Sequence, residues 1–111
     1  MQKFSDLALT RRSIRKYHDR DIPLREIEEF IKIAVSAPSG CNSQCWKFIA
    51  IKDKNVLNQI AEAVMYKIME IVSVLKPEPS AEYLVSKEKA VRFFTKAPVV
   101  VAVFMTGYKY Y

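Results

Sequence analysis

Residues 36–51 read "SAPSGCNSQCWKFIAI", and the way this stretch is divided decides how the chain is built. Its first part, Ser36 to Gln44, combines Pro38 and Gly40 with small, uncharged hydrogen-bonding side chains. Proline and glycine stop the helical pattern that precedes them. From Trp46 to Ile51 the residues turn apolar and β-prone, with Trp46, Phe48 and Ala50 on one side of an extended chain and Ile49 and Ile51 on the other. Such a pattern predicts a strand buried on both faces, with Lys47 near one end. A helix stop, a polar connector and a central-type strand therefore follow one another.

The rest of the chain can be read outward from there. Upstream, Pro23 suits the first turn of a helix, with Asp21 as a cap candidate, and Leu24, Ile27, Phe30, Ile31 and Ala34 recur on one helical face. A shorter helix is predicted from near Ser5 to Thr10, anchored by Leu7. Downstream, Asp53 and Asn55 offer caps for a longer helix with a core stripe of Leu57, Ile60, Ala61, Val64, Ile68 and Val72. "KPEPS" at 76–80 breaks it, and Ser80 can cap a fourth helix through about Phe94. "APVVVAVFM" at 97–105 then reads as a second strand, again apolar on both faces.

Four helices and two convincing strands make one α+β domain over 1–111, with a central sheet flanked by helices. Two strands alone are marginal in water, and central-type strands leave adhesive edges. The count predicts completion of the sheet by a partner chain, by residues beyond the C-terminus, or by both.

Composition narrows the function classes. The 111 residues are 50% hydrophobic and 27% charged, as in ordinary globular proteins, which excludes a disordered chain. Ala97 to Met105 is the longest apolar run and is too short to span a bilayer as a helix. No apolar signal core opens the chain, so a cytoplasmic protein without membrane association is expected. Cys41, Cys45 and the single histidine, His18, cannot close a four-ligand zinc site, and the cysteines are expected as free thiols. The net charge of +6 fits an anionic partner: a nucleic acid, a membrane surface or a phosphorylated small molecule.

Charge placement helps, because "RRSIRKY" at 11–17 sets Arg11, Arg12, Arg15 and Lys16 around Ser13. Guanidinium forks match phosphate oxygens bidentately, and a serine hydroxyl adds a donor. On composition alone, a solvated basic face is the commoner outcome for such a cluster. A nucleic-acid site would interleave aromatics with the cations, and only Tyr17 and His18 lie nearby. In the connector, Ser39, Asn42, Ser43 and Gln44 could contact a planar polar heterocycle without setting a formal charge beside it. A helix stop and turn would explain Gly40 and leave Gln44 and Trp46 without a role.

Together and in this order, the two segments closely resemble the FMN-dependent nitroreductase family. "RRSIRKY" is similar to that family's phosphate-binding opening, and "APSGCNSQCWKFIAI" to its second flavin-contacting segment and following strand. "KAPVVVAVF" resembles the family strand after the long helices. The resemblance implies that Arg11, Arg12, Ser13 and Arg15 bind the FMN phosphate and ribityl portion, while Pro38, Ser39, Gly40, Asn42 and Gln44 line the ring. It also implies a homodimer with flavin at the interface, NAD(P)H as the electron donor, and a nitro compound, quinone or related small molecule as the acceptor. No side chain need act as a nucleophile, since the chemistry belongs to the flavin.

Two features depart from the family pattern. Cys45 stands where the family usually has proline before the tryptophan. Family members are also usually much longer, and their later residues add strands, a segment over the flavin and further phosphate contacts. Two alternatives follow: a truncated, self-associating protein of the same fold without activity, and a basic nucleic-acid-binding module.

Overall fold

The computed structural model describes residues 3–107; the ends of the 1–111 domain, including Tyr108 onward in "TGYKYY", lie outside the described residues. Elements follow as α1 (Phe4–Thr10), α2 (Leu24–Ala34), β1 (Trp46–Ile51), α3 (Lys54–Leu75), α4 (Ala81–Arg92) and β2 (Val100–Met105). Short 3-10 turns occupy Gly40–Asn42 and Phe93–Lys96. The class is α+β, as the sequence predicts.

Local signals explain where most elements begin. The Asp53 carboxylate accepts from the Asn55 N–H at 2.8 Å and opens α3, and the Ser80 hydroxyl accepts from the Tyr83 N–H at 3.3 Å and opens α4. At α2 the expectation fails. Asp21 does not cap the helix, because Pro23 occupies the position before Leu24 and the aspartate stands two residues too early. Its carboxylate pairs instead with Lys52 Nζ at 2.6 Å, and the same ammonium donates to the Ile22 carbonyl at 3.0 Å. Lys52 thereby ties the end of β1 to the connector before α2.

β1 and β2 are antiparallel, in register from Trp46↔Met105 to Ile51↔Val100. Just beyond, the Thr106 N–H and hydroxyl both donate to the Cys45 carbonyl, at 2.7 and 2.8 Å, which fastens the polar connector to the sheet. α3 packs on α4 and on the Phe93–Lys96 turn. Lys54 Nζ donates to the Thr95 carbonyl at 3.1 Å and to that of Ala97, holding the approach to β2 against the start of α3.

The core is small. Ile27 of α2 is 1% exposed and Leu57 of α3 0%, and Ala61, Val72, Val91 and Ala97 are also buried. Burial of both strand faces is not realised among the described residues: Ile49 is 40% exposed, and Val101, Val103 and Phe104 also face outward. Leu24 and Phe30 of α2, Ile60 and Val64 of α3, and Leu7 of α1 are likewise open. The helical spacings are as read, but no element among the described residues covers those faces. The chain exposes 9598 Å², against about 6,300 Å² for a compact monomer of this size. Its radius of gyration is 17.9 Å, against about 13 Å for a compact domain.

Candidate functional site

Residues 11–23 form an irregular connector between α1 and α2. The Arg11 N–H closes α1 by donating to the Leu7 carbonyl at 3.1 Å. Arg12 folds back on the same helix end, its Nη1 donating to the carbonyls of Leu9 at 3.0 Å and Arg11 at 2.9 Å. This contact satisfies orphan carbonyls and leaves the other guanidinium donors free. Arg15 lies over the Phe93 ring, 5.5 Å from its centroid. Among the described residues none of these three arginines enters an ion pair, and the exposed Ser13 hydroxyl makes no hydrogen bond. The cluster therefore has uncommitted donors for an anion.

The polar connector is held by its own side chains. The Ser39 hydroxyl accepts from the Gln44 N–H at 3.0 Å, and Gln44 Nε2 donates to Asn42 Oδ1 at 3.1 Å. The N–H groups of Asn42 and Ser43 reach back to the carbonyls of Ser39 and Gly40, both at 3.0 Å. Cys41, Asn42 and Gln44 take φ values of 51°, 52° and 46°, the left-handed region that side chains other than glycine and asparagine avoid. Gly40 is not among these residues. Strained backbone of this kind concentrates at ligand-contacting sites. From residue 33 to 46 the chain carries no charge, so a heterocycle there would meet oriented dipoles only.

The two segments do not converge within the chain. Arg15 and Tyr17 rest on the Phe93–Lys96 turn, whereas the polar connector adjoins the β1–β2 end through Cys45 and Thr106. No hydrogen bond or ion pair among the described residues joins 11–15 to 38–44. The donor set nevertheless fits a flavin mononucleotide, with guanidinium and hydroxyl donors for a phosphate and a neutral loop for a ring.

Sequence reasoning missed a basic groove beside the first segment. Lys16, Lys89 and Lys96 line it together with Arg15 and Arg92, around Tyr17 and Phe93. Residues so far apart in the chain give no local motif. The steps of three and four from Lys89 to Arg92 to Lys96 were the available signal.

Residues 8–111 match the model of the nitroreductase family. The chain belongs to the nitroreductase family. A protein of Archaeoglobus fulgidus, provisionally named NADH dehydrogenase/NAD(P)H nitroreductase, is 41% identical over 66 residues, covering 60% of this chain and 38% of that one. Mouse iodotyrosine deiodinase 1 is 36% identical over 63 residues, 57% of this chain and 22% of the deiodinase. Among solved structures, a BluB-like flavoprotein from Clostridium difficile superposes with a TM-score of 0.75 and 33% identity, covering 95% of this chain and 49% of that one. This nitroreductase-family chain thus spans about half the length of that flavoprotein and less of the curated relatives. Its two strands and four helices have the nitroreductase-like fold.

Proposed function

We propose that the chain supplies the phosphate-binding and ring-contacting segments of a cytoplasmic, homodimeric, FMN-dependent oxidoreductase that passes electrons from NAD(P)H to nitro compounds, quinones or related acceptors. The observation that carries this reading is the pairing of the ion-pair-free Arg11–Arg15 cluster with a charge-free connector held in left-handed backbone. FMN, when bound, supplies hydride acceptance from the nicotinamide and electron return to the acceptor.

In this reading Arg11 and Arg15 bind the phosphate through charge-assisted hydrogen bonds, and Ser13 adds a hydroxyl donor. Arg12 contributes its remaining donors while bracing the end of α1. Ser39, Asn42 and Gln44 preset the loop by bonding to one another, so Pro38, Gly40 and the Gln44 amide meet the ring without rearrangement. Neutral donors orient the ring while adding no formal charge beside it. Because the two segments stand apart in one protomer, a second copy completes the site, its connector meeting the first copy's arginines.

The test is a visible spectrum of the purified chain after incubation with FMN and desalting. Retention near one flavin per protomer is expected, and a colourless protein would reject the reading for this chain. A second reading keeps the fold and the self-association without the activity, and the large exposed surface favours it as well. NAD(P)H oxidation that requires added FMN and exceeds the free-flavin background decides against it.

A further inference from the structure

We propose that the groove between residues 15–17 and the C-terminal part of α4 binds the phosphorylated adenosine end of NADPH and so selects NADPH over NADH. The inference rests on the reading of the chain as part of an NAD(P)H-dependent flavoenzyme.

Charge is the first observation. Arg15 and Lys16 form one wall, and Lys89, Arg92 and Lys96 the other. Glu88 is the only acid lining the groove among the described residues and is paired with Arg92 at 3.1 Å. Among the described residues Arg15, Lys16, Lys89 and Lys96 are left without an acidic partner there, and with Arg15 engaged by the flavin phosphate in the proposed function, Lys16, Lys89 and Lys96 are the cations open to a second ligand. The Arg15 guanidinium rests on the Phe93 ring rather than on a carboxylate.

The second observation is an aromatic surface among those cations. Tyr17 stacks on Phe93 with centroids 6.5 Å apart and planes 24° from parallel, and Tyr17 stays 38% exposed. Cations around an open aromatic face suit a phosphorylated purine, whose base stacks while its phosphates take the guanidinium and ammonium donors.

The amount of charge selects the ligand. A pyrophosphate and a 2′-phosphate together carry about four negative charges at neutral pH, whereas NADH keeps only the two of its pyrophosphate. A nucleic-acid strand would need the cations to continue along its path. They do not: in the adjoining groove beyond Tyr17, Arg20 is the one formal cation and Asp19 offsets it, the rest of the lining being His18 and the apolar Ile22, Ala97, Pro98 and Val99.

The experiment is calorimetric titration of adenosine 2′,5′-bisphosphate and of 5′-AMP into the full chain and into its K89A/K96A variant, both incubated with FMN. Both lysines are exposed, and the single K96E variant repeats the test with a smaller perturbation. The bisphosphate is expected to bind at least about tenfold tighter than 5′-AMP, and that advantage to disappear in both variants. Flavin retention should not change in either. Equal affinity for the two nucleotides, or a preference that survives both variants, overturns the proposal. So does tighter binding of a short oligonucleotide than of the bisphosphate. A chain that holds FMN without the nucleotide preference sinks the groove alone. A flavin-free chain that shows the lysine-dependent preference upholds the groove and sinks the flavin reading.

Discussion

Asp21 is an exposed carboxylate whose pKa lies below its ordinary value, chiefly through the hydrogen bond from Lys52, with that ammonium's charge and the Ile22 N–H adding to the effect. A folded-state pKa below the unfolded one stabilises the fold above the unfolded value, and the contribution is lost as pH falls through the folded value. The window therefore lies below about pH 4. D21N should lower stability slightly in urea titrations at pH 6, and the difference should shrink as pH falls below about 4; an unchanged difference would remove the assignment. At the candidate site, Arg11→Ala should weaken FMN binding about tenfold or more, since a charge-assisted hydrogen bond is worth about 1.5–3 kcal/mol. Gln44→Val should reduce both stability and flavin retention, because a β-branched side chain resists a φ of 46°. Thermal melts paired with flavin spectra check this. Single residues were unevenly legible. The arginine cluster and the neutral loop stood out as types in a row. The left-handed backbone at Cys41 and Gln44 did not, since neither residue type announces it and the more obvious Gly40 lies outside it.

Elements were legible wherever their signals are local. Asp53 and Ser80 cap α3 and α4 from their own sequence positions, so Asp53→Ala should cost about 1 kcal/mol in chemical denaturation. Leu57→Ala should cost about 2–5 kcal/mol in the same assay, because its side chain is fully buried where α3 meets its neighbours. A loss near zero would mean that this small core does not govern unfolding. Less legible was the end of α4, which gives way after Arg92 to a tighter turn with the Thr95 hydroxyl donating to the Arg92 carbonyl at 2.8 Å. Strand burial was misjudged for a different reason. A pattern apolar on both sides tells what a strand needs to cover it, not which chain provides the cover. The basic groove was hidden in the same way, being built from two distant segments.

For the molecule as a whole, the exposed area exceeds that of a compact monomer by about 3,300 Å². Obligate dimers bury about 2,000–5,000 Å² counted over both partners, or about 1,000–2,500 Å² per chain, so pairing two copies would remove a large part of the excess but not all of it. Light scattering with size exclusion should give twice the chain mass at micromolar concentration, and the melting temperature should rise with protein concentration. A monomer with a concentration-independent melt would remove the dimer and the shared flavin site with it. The sheet also bears on how the chain is made. Among the described residues β1 pairs only with β2, about 50 residues further along. At about 5–20 residues per second, a ribosome needs several seconds to deliver the second strand after the first. Throughout that interval "WKFIAI" is a nascent segment with no ladder to join, and its apolar side chains are the natural prey of holding chaperones. The yield of native protein should therefore fall more steeply than its stability when growth temperature rises, because the vulnerable moment comes before the fold exists.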